Sequence, residues 1–566
     1  MSDYDYIDLS WHAQLPSKWQ LYYRETSLNL RKDFCSLIDD VSSSWDGSLD
    51  GWLVSASMRD QYSSRLFHDI VTLVMLKNYK HEIKDGDSIV IDDPTMFAIL
   101  KIYANNNQKK IQIFWSTPLM TRMIKNIRTL LSPLRTHFRI FSEWLTAKLG
   151  SLDYTPNLNL NKDLIVIDTF AIPGFVLEDR YYSGLWELLS QQDKSKVRFI
   201  PQFSEMTLNQ IYKATIDIKK HPERFILKDQ LIKLTDLLWA AGHWYRRNKI
   251  NISRVDFSGF EITPLIRREL SSTSALNGAL RGLLNYRFVM RLSQIECNVV
   301  KAIDWFENQI VDKGWNAGFN KFYPKIPTIG YRGYIPSSQY LHQHPTIIEY
   351  KSGILPSKIV VIGKGFIDST REFAPILNVE ISAAFRFEDL WNESTAKPDP
   401  SCFTFLVALS TIIEESLNIL KLVKECLKTV DQNNLRFLIK LHPGMTVKKL
   451  KKAILMCAGK AAQHFAMDIE KEQEVLMNLA DMVMDVYTAE SGLLRAEKLS
   501  LENGEEATQH QITMSKLFLY SAIKNCQKAG EEVILSFAEG DEQRMLLMGL
   551  KRFTKGYTIN PKELRR

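Results

Sequence analysis

The sequence contains no cysteine pattern that would indicate a disulfide framework or a zinc ribbon. Its six cysteines are spread over 566 residues, and no two of them form a CxxC pair. We therefore expect reduced thiols and a cytoplasmic location. The opening segment, MSDYDYIDLSWHAQ, is acidic and polar, so no secretory signal peptide is expected there.

Long hydrophobic runs are also absent. An apolar window at 403–420 is interrupted by Glu414 and Glu415, and no run reaches the roughly 20 residues of a membrane-spanning helix. The net charge of +7 is a mild excess, compatible with an anionic membrane surface or a phosphorylated ligand. Any membrane contact is therefore expected to be peripheral, at the inner face of the cytoplasmic membrane. No block of Lys and Arg indicates nucleic acid binding.

The common nucleotide-binding fingerprints are missing. No GxGxxG follows a predicted strand, since the GKG at 363–365 is too short, and no GxxxxGK(S/T) occurs. These absences disfavour a dinucleotide-dependent oxidoreductase and a P-loop enzyme. Metal ligands are sparse as well, because His342 and His344 lack a third ligand at a suitable spacing. We expect a metal-independent reaction.

Short apolar runs alternate with amphipathic helical segments through most of the chain. This alternation predicts an α/β fold with mainly parallel sheets. The segments that contain the predicted strands are 87–93, 109–115, 162–170, 196–203, 355–365, 403–410, 435–441 and 482–487.

The chain is too long for a single hydrophobic core. The pattern predicts two Rossmann-like domains facing a cleft, the glycosyltransferase-B (GT-B) arrangement. We place an N-terminal α/β domain at 1–350, with a helical insertion at about 205–300, and a C-terminal Rossmann-like domain at 351–520. A helical tail is expected at 521–566. One arrangement that the sequence allows is that this tail packs against the first domain.

Polar residues follow the predicted strands of the second domain, where ligands of such sheets bind. Ser410 and Thr411 follow one strand, and hydroxyls with free N–H groups at a helix start can hold a phosphate. A plain helix N-cap at Ser410 is the alternative. His442 and Pro443 follow the next strand, where proline ends pairing and histidine can donate to a phosphate oxygen. The alternative there is a histidine satisfied by local backbone.

A third turn is predicted after the run MVMDVY. Ser491 and Gly492 would let backbone amides approach an anion, and Glu497 on the next helix would take a ribose hydroxyl. A helix cap with a surface glutamate explains the same residues. Three such turns at one sheet edge together predict a nucleotide site.

The first domain has a segment, 302–341, that is dense in aromatic, acidic and glycine residues. Asp304 and Glu307 lie one helical turn apart and could share a face. Arg332 lies between tyrosines in GYRGY, a setting suited to a sugar or an anion. A solvated helix followed by an aromatic loop is the alternative.

Two further segments of the first domain offer similar residues. Arg180 and Tyr182 occur in VLEDRYYSGL, and Asp256 occurs in DFSGFEITPLIRREL. We count Arg180 and Tyr182 as ligand-binding candidates and Asp256 as an acid–base candidate.

Several long blocks of the sequence resemble bacterial surface carbohydrate (O-antigen or capsule) biosynthesis proteins. The blocks are DWFENQIVDKGWN, YPKIPTIGYRGYIPSSQYL and PTIIEYKSGILPSKIVVIGKG. The resemblance runs from about residue 50 to about residue 500.

Five residues also resemble motifs of bacterial GT-B sialyltransferases and Kdo transferases. They are Lys440, His442, Pro443, Ser491 and Gly492. In those enzymes the histidine and serine hold the phosphate of a CMP-activated sugar acid, so the resemblance implies the same role here.

Together these observations predict a glycosyltransferase of bacterial surface polysaccharide biosynthesis, acting on O-antigen, capsule or lipopolysaccharide. It would transfer a CMP-activated ulosonic acid to a glycan or lipid-linked glycan acceptor, without another cofactor. Glu307 would be the catalytic base, and Asp304 and Asp256 are the next candidates for this role. Arg180, Tyr182 and Arg332 would bind the acceptor. A CDP-alcohol phosphotransferase and a non-catalytic scaffold of polysaccharide assembly are the alternatives.

Overall fold

The computed structural model divides the chain into two compact units, Met1–Ser394 and Thr395–Arg566. Each unit is described by itself below. The residues described are 6–11, 15–45, 47–83, 87–106, 112–115, 119–154, 163–387, 403–409, 413–426, 435–440, 448–503 and 507–554.

The first unit contains two parallel sheets and a short antiparallel hairpin. Its strands are β1 (Tyr6–Asp8), β2 (Ser88–Ile91), β3 (Gln112–Trp115), β4 (Leu164–Ala171), β5 (Val197–Phe203), β6 (Asp256–Phe257), β7 (Phe260–Glu261), β8 (Val299–Trp305), β9 (Thr328–Arg332), β10 (Lys358–Val361) and β11 (Val379–Ile381).

Helices surround these sheets. They are α1 (Ser17–Ser43), α2 (Leu49–Met58), α3 (Leu66–Asn78), α4 (Pro94–Asn106), α5 (Leu119–Gly150), α6 (Leu185–Leu188), α7 (Gln191–Lys196), α8 (Leu208–Ile218), α9 (Lys228–Leu231), α10 (Leu234–Ala241), α11 (His243–Asn248), α12 (Thr263–Ser271), α13 (Leu276–Gln294), α14 (Ile310–Phe322), α15 (Ile347–Lys351) and α16 (Ile367–Arg371).

The larger sheet has six strands in the order β11-β10-β9-β8-β4-β5, and every described pair in it is parallel. The chain enters at β4, steps outward to β5, and then returns past β4 to β8 and onward to β11. The direction of winding therefore reverses between β4 and β8. Such a reversal opens a crevice at the carboxyl ends of the strands, where ligands of doubly wound sheets bind.

Apolar cores lie on both faces of the larger sheet. One core joins Val166, Ile200 and Ala302 to α13 and α14, and the other joins Ile167 and Phe199 to the aromatic residues around Trp305. All seven residues of β5 are buried. Burial on both faces explains why these strands read as continuous apolar runs in the sequence.

The second unit pairs two parallel strands and carries a group of longer helices. Its elements are β12 (Phe403–Ala408), α17 (Ile413–Cys426), β13 (Leu435–Lys440), α18 (Lys448–Phe465), α19 (Gln473–Asn503), α20 (Gln509–Leu535) and α21 (Gly540–Thr554). Helices α18 to α21 share one apolar core, and we call this group the helical bundle.

The α/β class with parallel sheets predicted from the sequence is confirmed. The strand predicted at 482–487 is wrong, because these residues lie within α19. Met482, Val486 and Ala489 are buried at helical spacing, whereas Val483 is 51% exposed. Because this helix has apolar residues on both its buried and its exposed face, its sequence shows the continuous apolar run that is typical of a buried strand.

The division between the units falls later than the sequence analysis placed it. Strand β10, assigned there to the second domain, pairs with β9 through Ile359 and Gly330 and so belongs to the larger sheet of the first unit. The tail at 521–566 belongs to the second unit, where Cys526 and Leu550 enter the core of the helical bundle. Among the described residues, no helix has the length and apolar character needed to cross a membrane.

Candidate functional site

A cavity of about 560 Å³ lies where the winding of the larger sheet reverses. Phe170 near the end of β4 and Gln202 near the end of β5 line one side, and Gln309, just after β8, lines another. Helix α13 contributes Asn277 and Arg281 to the opposite wall. The volume is in the range of small-molecule sites in proteins, so this crevice is the candidate site of the first unit.

Hydrogen bonds in the first turn of helix α14 hold the start of this helix against the cavity. The Asp312 carboxylate accepts hydrogen bonds from the backbone N–H of Gln309 at 2.9 Å and of Glu307 at 3.1 Å. These bonds satisfy N–H groups that a helix start leaves without partners. They place the beginning of α14, with Ile310 and Val311, against the cavity.

Two residues beside the cavity adopt the left-handed backbone conformation although they are not glycine. Glu205 has φ +57° and Asn308, adjacent to Gln309, has φ +59°. Such a conformation costs free energy and persists where the surroundings enforce it, which is common in ligand sites.

The arginines of the cavity wall already have partners. Arg281 donates to the backbone carbonyl of Phe203 at 3.1 Å and to the Asn277 side chain at 3.2 Å. Both Arg281 and Arg139 also pair with Glu143. Their charges are therefore largely balanced, and the wall offers polar contacts rather than a strong anion site.

Two buried carboxyl groups lie side by side toward the carboxyl ends of β4 and β8. Ile167 of β4 pairs with Ile303 of β8, so Asp168 and Asp304 follow as neighbours across the sheet. They are 3% and 1% exposed. Side chains two apart on a strand share a face, so Asp168 faces the same side as Phe170, which lines the cavity. One oxygen of each carboxyl group has no hydrogen-bond partner among the residues that the structure describes.

Burial changes the proton affinity of this group. It raises the pKa of Asp168 to about 7, against the opposing charge of Lys228. Burial also raises the pKa of Asp304 well above its usual range, and the nearby Asp312 carboxylate adds to the rise. Lys228 donates to Gln202 at 2.7 Å and so links the group to the cavity wall. The arrangement can bind a small polar molecule and hold or release a proton beside it.

Asp168 should make the stability of the first unit depend on pH. Its folded-state pKa is raised, so its contribution is complete below about pH 4 and is lost as pH rises through about 7. Asp168→Asn should weaken this loss and raise the free energy of unfolding at about pH 8 by on the order of 1–2 kcal/mol. Urea unfolding across this pH range measures it. Asp217→Asn, at an exposed aspartate, is the control, and an unchanged pH profile for Asp168→Asn would contradict the assignment.

The predicted acid–base residues do not all meet. Asp304 is part of the buried pair, and its second oxygen accepts from Asn316 at 2.8 Å. Glu307 accepts from the Trp305 ring at 2.6 Å, near the same end of β8. Asp256 lies on the separate hairpin, exposed and paired with Arg254.

The predicted acceptor-binding residues do not lie together either. Tyr182 is buried in the aromatic core on the other face of the sheet, where it stacks on Tyr331 at 5.2 Å. Arg332 is 2% exposed and donates to the Gln343 backbone at 2.9 Å. Arg180 is exposed and its guanidinium lies 5.7 Å from the ring of Phe175.

Four of the eight predicted nucleotide-binding residues of the second domain lie outside the described residues. These are Ser410, Thr411, His442 and Pro443. Lys440 is the last residue of β13.

The remaining three predicted nucleotide-binding residues, Ser491, Gly492 and Glu497, lie inside α19. The turn predicted there is wrong, because the Gly492 carbonyl accepts from Ser515 of the packed helix α20 at 3.0 Å instead of facing a strand end.

Sequence reasoning missed Asp168, Asp312 and Lys228 as members of the candidate site. Asp168 had one detectable signal: it interrupts an otherwise apolar strand, LIVIDTF. A buried carboxyl group in such a run needs a reason, since burial of an unpaired charge is costly. Lys228 had no local signal, because it joins the group only through tertiary packing.

The helical bundle of the second unit is filled with small and medium apolar side chains. Ala453, Cys457, Met482, Cys526 and Val533 are all 0% exposed. A large apolar core of this kind explains why four helices pack as one body.

Comparison with known proteins finds a similarity that falls in this bundle. A sequence model of the family described as acyl-CoA dehydrogenase, C-terminal domain, matches residues 449–552. A probable acyl-CoA dehydrogenase of Bacillus subtilis (strain 168) is 36% identical over 118 residues, which is 21% of this chain and 19% of that protein. The match therefore spans about a fifth of the relative's length.

The solved structures that were matched include a crystal structure of an acyl-CoA dehydrogenase complexed with FAD from Bacillus anthracis. It covers 60% of this chain and 45% of its own chain, with 18% identity and a TM-score of 0.21. A TM-score this low carries no argument about the fold.

These comparisons overturn the functional prediction made from the sequence. The resemblance to surface carbohydrate biosynthesis proteins and GT-B enzymes is wrong as an identification, and so are the predicted glycosyltransferase and the CDP-alcohol phosphotransferase. The predicted partners, a nucleotide-sugar and a glycan acceptor, are withdrawn with them. The expectation of no further cofactor is withdrawn with them, because the family model that matches residues 449–552 is that of acyl-CoA dehydrogenases and not of glycosyltransferases.

The error has a physical origin. The sequence analysis disfavoured an oxidoreductase because dinucleotide-binding fingerprints are absent. A helical domain does not contain such fingerprints, so their absence does not count against one. Residues 449–552 form a helical bundle that is similar to the C-terminal domain of acyl-CoA dehydrogenases.

Proposed function

We propose that this chain takes part in the oxidation of acyl-CoA thioesters, with its helical bundle serving as a C-terminal domain of the acyl-CoA dehydrogenase type. One observation carries the proposal: the family match at 449–552 coincides with helices α18 to α21. The 36% identity to the Bacillus subtilis relative supports it. The activity of the whole chain is a proposal, because the match spans 19% of that relative.

FAD would accept the electrons of the oxidation when bound, and the Bacillus anthracis enzyme holds it. The described residues of the bundle do not fit this cofactor inside the bundle. Its core positions are filled by apolar side chains, and between 448 and 554 no described side chain has a buried polar atom without a partner. A flavin needs donors and acceptors for its pyrimidine ring and pyrophosphate, so we derive no reaction step through it.

Two finer predictions from the sequence stay proposals. The larger sheet of the first unit is parallel throughout its described pairs, and two paired strands are described in the second unit, so two Rossmann-like domains facing a cleft stay a proposal. A cytoplasmic location is compatible with the proposed activity.

The full-length chain, supplied with FAD, is expected to reduce an artificial electron acceptor when an acyl-CoA is added. Acyl-CoA substrates of short, medium and long chain should be compared, and the dye colour measures turnover. The corresponding enoyl-CoA, which is already oxidised, is the control substrate. The proposal fails if no acyl-CoA supports reduction and neither FAD nor acyl-CoA raises the melting temperature.

A further inference from the structure

Helix α5 of the first unit carries an unusual row of exposed apolar side chains. Six of them recur every three or four residues and so form one stripe along the helix. We call them the α5 stripe: Leu131 (54% exposed), Leu134 (70%), Phe138 (72%), Phe141 (38%), Leu145 (39%) and Leu149 (51%).

The opposite face of α5 is held firmly in the protein. Ile140 and Ala147 are 6% and 1% exposed, and the Trp144 ring donates to the Ile232 carbonyl at 3.2 Å. The stripe is therefore presented outward by a helix whose other side is already packed. A single exposed leucine needs no explanation, but a continuous apolar stripe does.

The apolar surface continues onto the neighbouring helix α10. Leu234 and Leu238 are 51% and 65% exposed, and with Phe141 they line an apolar groove of about 150 Å³. The stripe and α10 thus form one broad apolar surface rather than isolated residues.

The exposed charges beside the stripe are basic. Arg135 is exposed along one flank and Lys233 is exposed at the start of α10. Arg139, on the same flank as Arg135, is also exposed, but its charge is balanced by Glu143. Between 131 and 150 the one acidic residue, Glu143, has a side chain only 11% exposed and pairs with arginines. The sequence of 119–130 adds three basic residues and no acidic one.

We infer that the α5 stripe docks the first unit on an anionic lipid surface, with the apolar side chains in the interface and the basic flank on lipid phosphates. A helix with one apolar face and a basic polar face lies in the plane of such an interface. Basic residues beside it add electrostatic attraction to anionic lipids. The inference does not depend on the proposed acyl-CoA oxidation.

A second copy of the chain is the competing occupant of the stripe. Pairing two α5 stripes would bring the arginines of one copy near those of the other, with Glu143 already engaged. Helix pairs usually place opposite charges beside an apolar seam. The charge pattern therefore favours lipid over self-association.

Vesicle sedimentation with the full-length chain tests the inference. The chain should sediment with vesicles of phosphatidylcholine and phosphatidylglycerol more strongly than with phosphatidylcholine alone, and added salt should weaken binding. The double variant Leu134→Ser/Phe138→Ser should bind the anionic vesicles at least about tenfold more weakly, because two large apolar side chains are lost from the interface.

The matched control is Leu188→Ser/Ile335→Ser, which changes two apolar residues that are 73% and 65% exposed outside α5. It should bind vesicles like the parent. All four positions are exposed, so melting temperatures should confirm folded variants. Equal vesicle binding by the stripe variant and the parent would overturn the inference. The inference would also be overturned if the parent chain did not bind vesicles but formed a dimer, and the stripe variant were monomeric. Light scattering measures the oligomeric state.

Discussion

The Gly314→Ala variant is expected to be among the most destabilised single variants of the first unit. A Cβ at this position would lie 1.7 Å from the carbonyl oxygen and 2.3 Å from the carbonyl carbon of Gly282. Helices α13 and α14 meet here backbone to backbone, so no side-chain rotation can relieve the clash. We expect a cost at or beyond the upper end of the roughly 1–3 kcal/mol that overpacking usually costs.

Urea unfolding measures this effect, followed by tryptophan fluorescence, to which buried Trp315 on α14 contributes. Gly278→Ala on α13 is the matched control, because its added Cβ would meet Ile310 at 3.6 Å, an ordinary contact. That variant should keep or gain stability, since alanine favours a helix by up to about 1 kcal/mol over glycine. Equal stability of the two variants would contradict the close approach of the helices.

The second large effect is expected at Glu349. Its carboxylate bonds with Arg59 and lies 2.6 Å from the Lys313 ammonium. The side chains of Arg59, Lys313 and Glu349 are each at most 1% exposed. The three join the end of α2, α14 and α15. Glu349→Ala should therefore cost about 3–5 kcal/mol, because it leaves two buried cations without their carboxylate.

Chemical unfolding of three variants distinguishes this explanation from simple loss of packing. Glu380→Ala removes an exposed partner of Lys358 and should cost less than about 1 kcal/mol. Replacing the whole buried group, as Arg59→Met/Lys313→Met/Glu349→Leu, should recover much of the stability lost in Glu349→Ala. If the triple variant is no more stable than Glu349→Ala, uncompensated charge is not the cause.

The same group predicts a response to acid. Burial by itself would raise the pKa of Glu349, but the charges of Arg59 and Lys313 lower it to about 2. A lowered pKa means that the contribution of Glu349 is present above its unfolded value of about 4.5 and is lost as pH falls toward about 2. This slope has the opposite sign to the slope expected from Asp168, so the two residues can be separated by their pH ranges.

The sequence predicted the α/β class because burial leaves a periodic trace in the chain. Strand β4 reads as LIVIDTF since both its faces are covered. The same reasoning failed at 482–487, where α19 exposes Val483, Met484 and Tyr487 on its outer side. Apolar residues on the exposed side of a helix remove the periodicity on which the distinction between helix and strand depends.

The candidate site was predicted only in part. Asp304 was singled out from its local context, whereas its neighbour Asp168 was not, because the two meet only through the pairing of β4 with β8. The predicted function failed for a different reason. It rested on short motifs after strands, and such motifs recur by chance, whereas the match at 449–552 extends over a whole helical domain.

The sequence by itself determined the alternation of strands and helices and the absence of long apolar runs, since each depends on neighbouring residues. Tertiary structure decided which polar groups came together near the ends of β4 and β8 and which apolar side chains were left exposed. The physical reason is that a carboxyl group acquires an altered proton affinity, and a leucine becomes a docking surface, only through what packs or fails to pack against it.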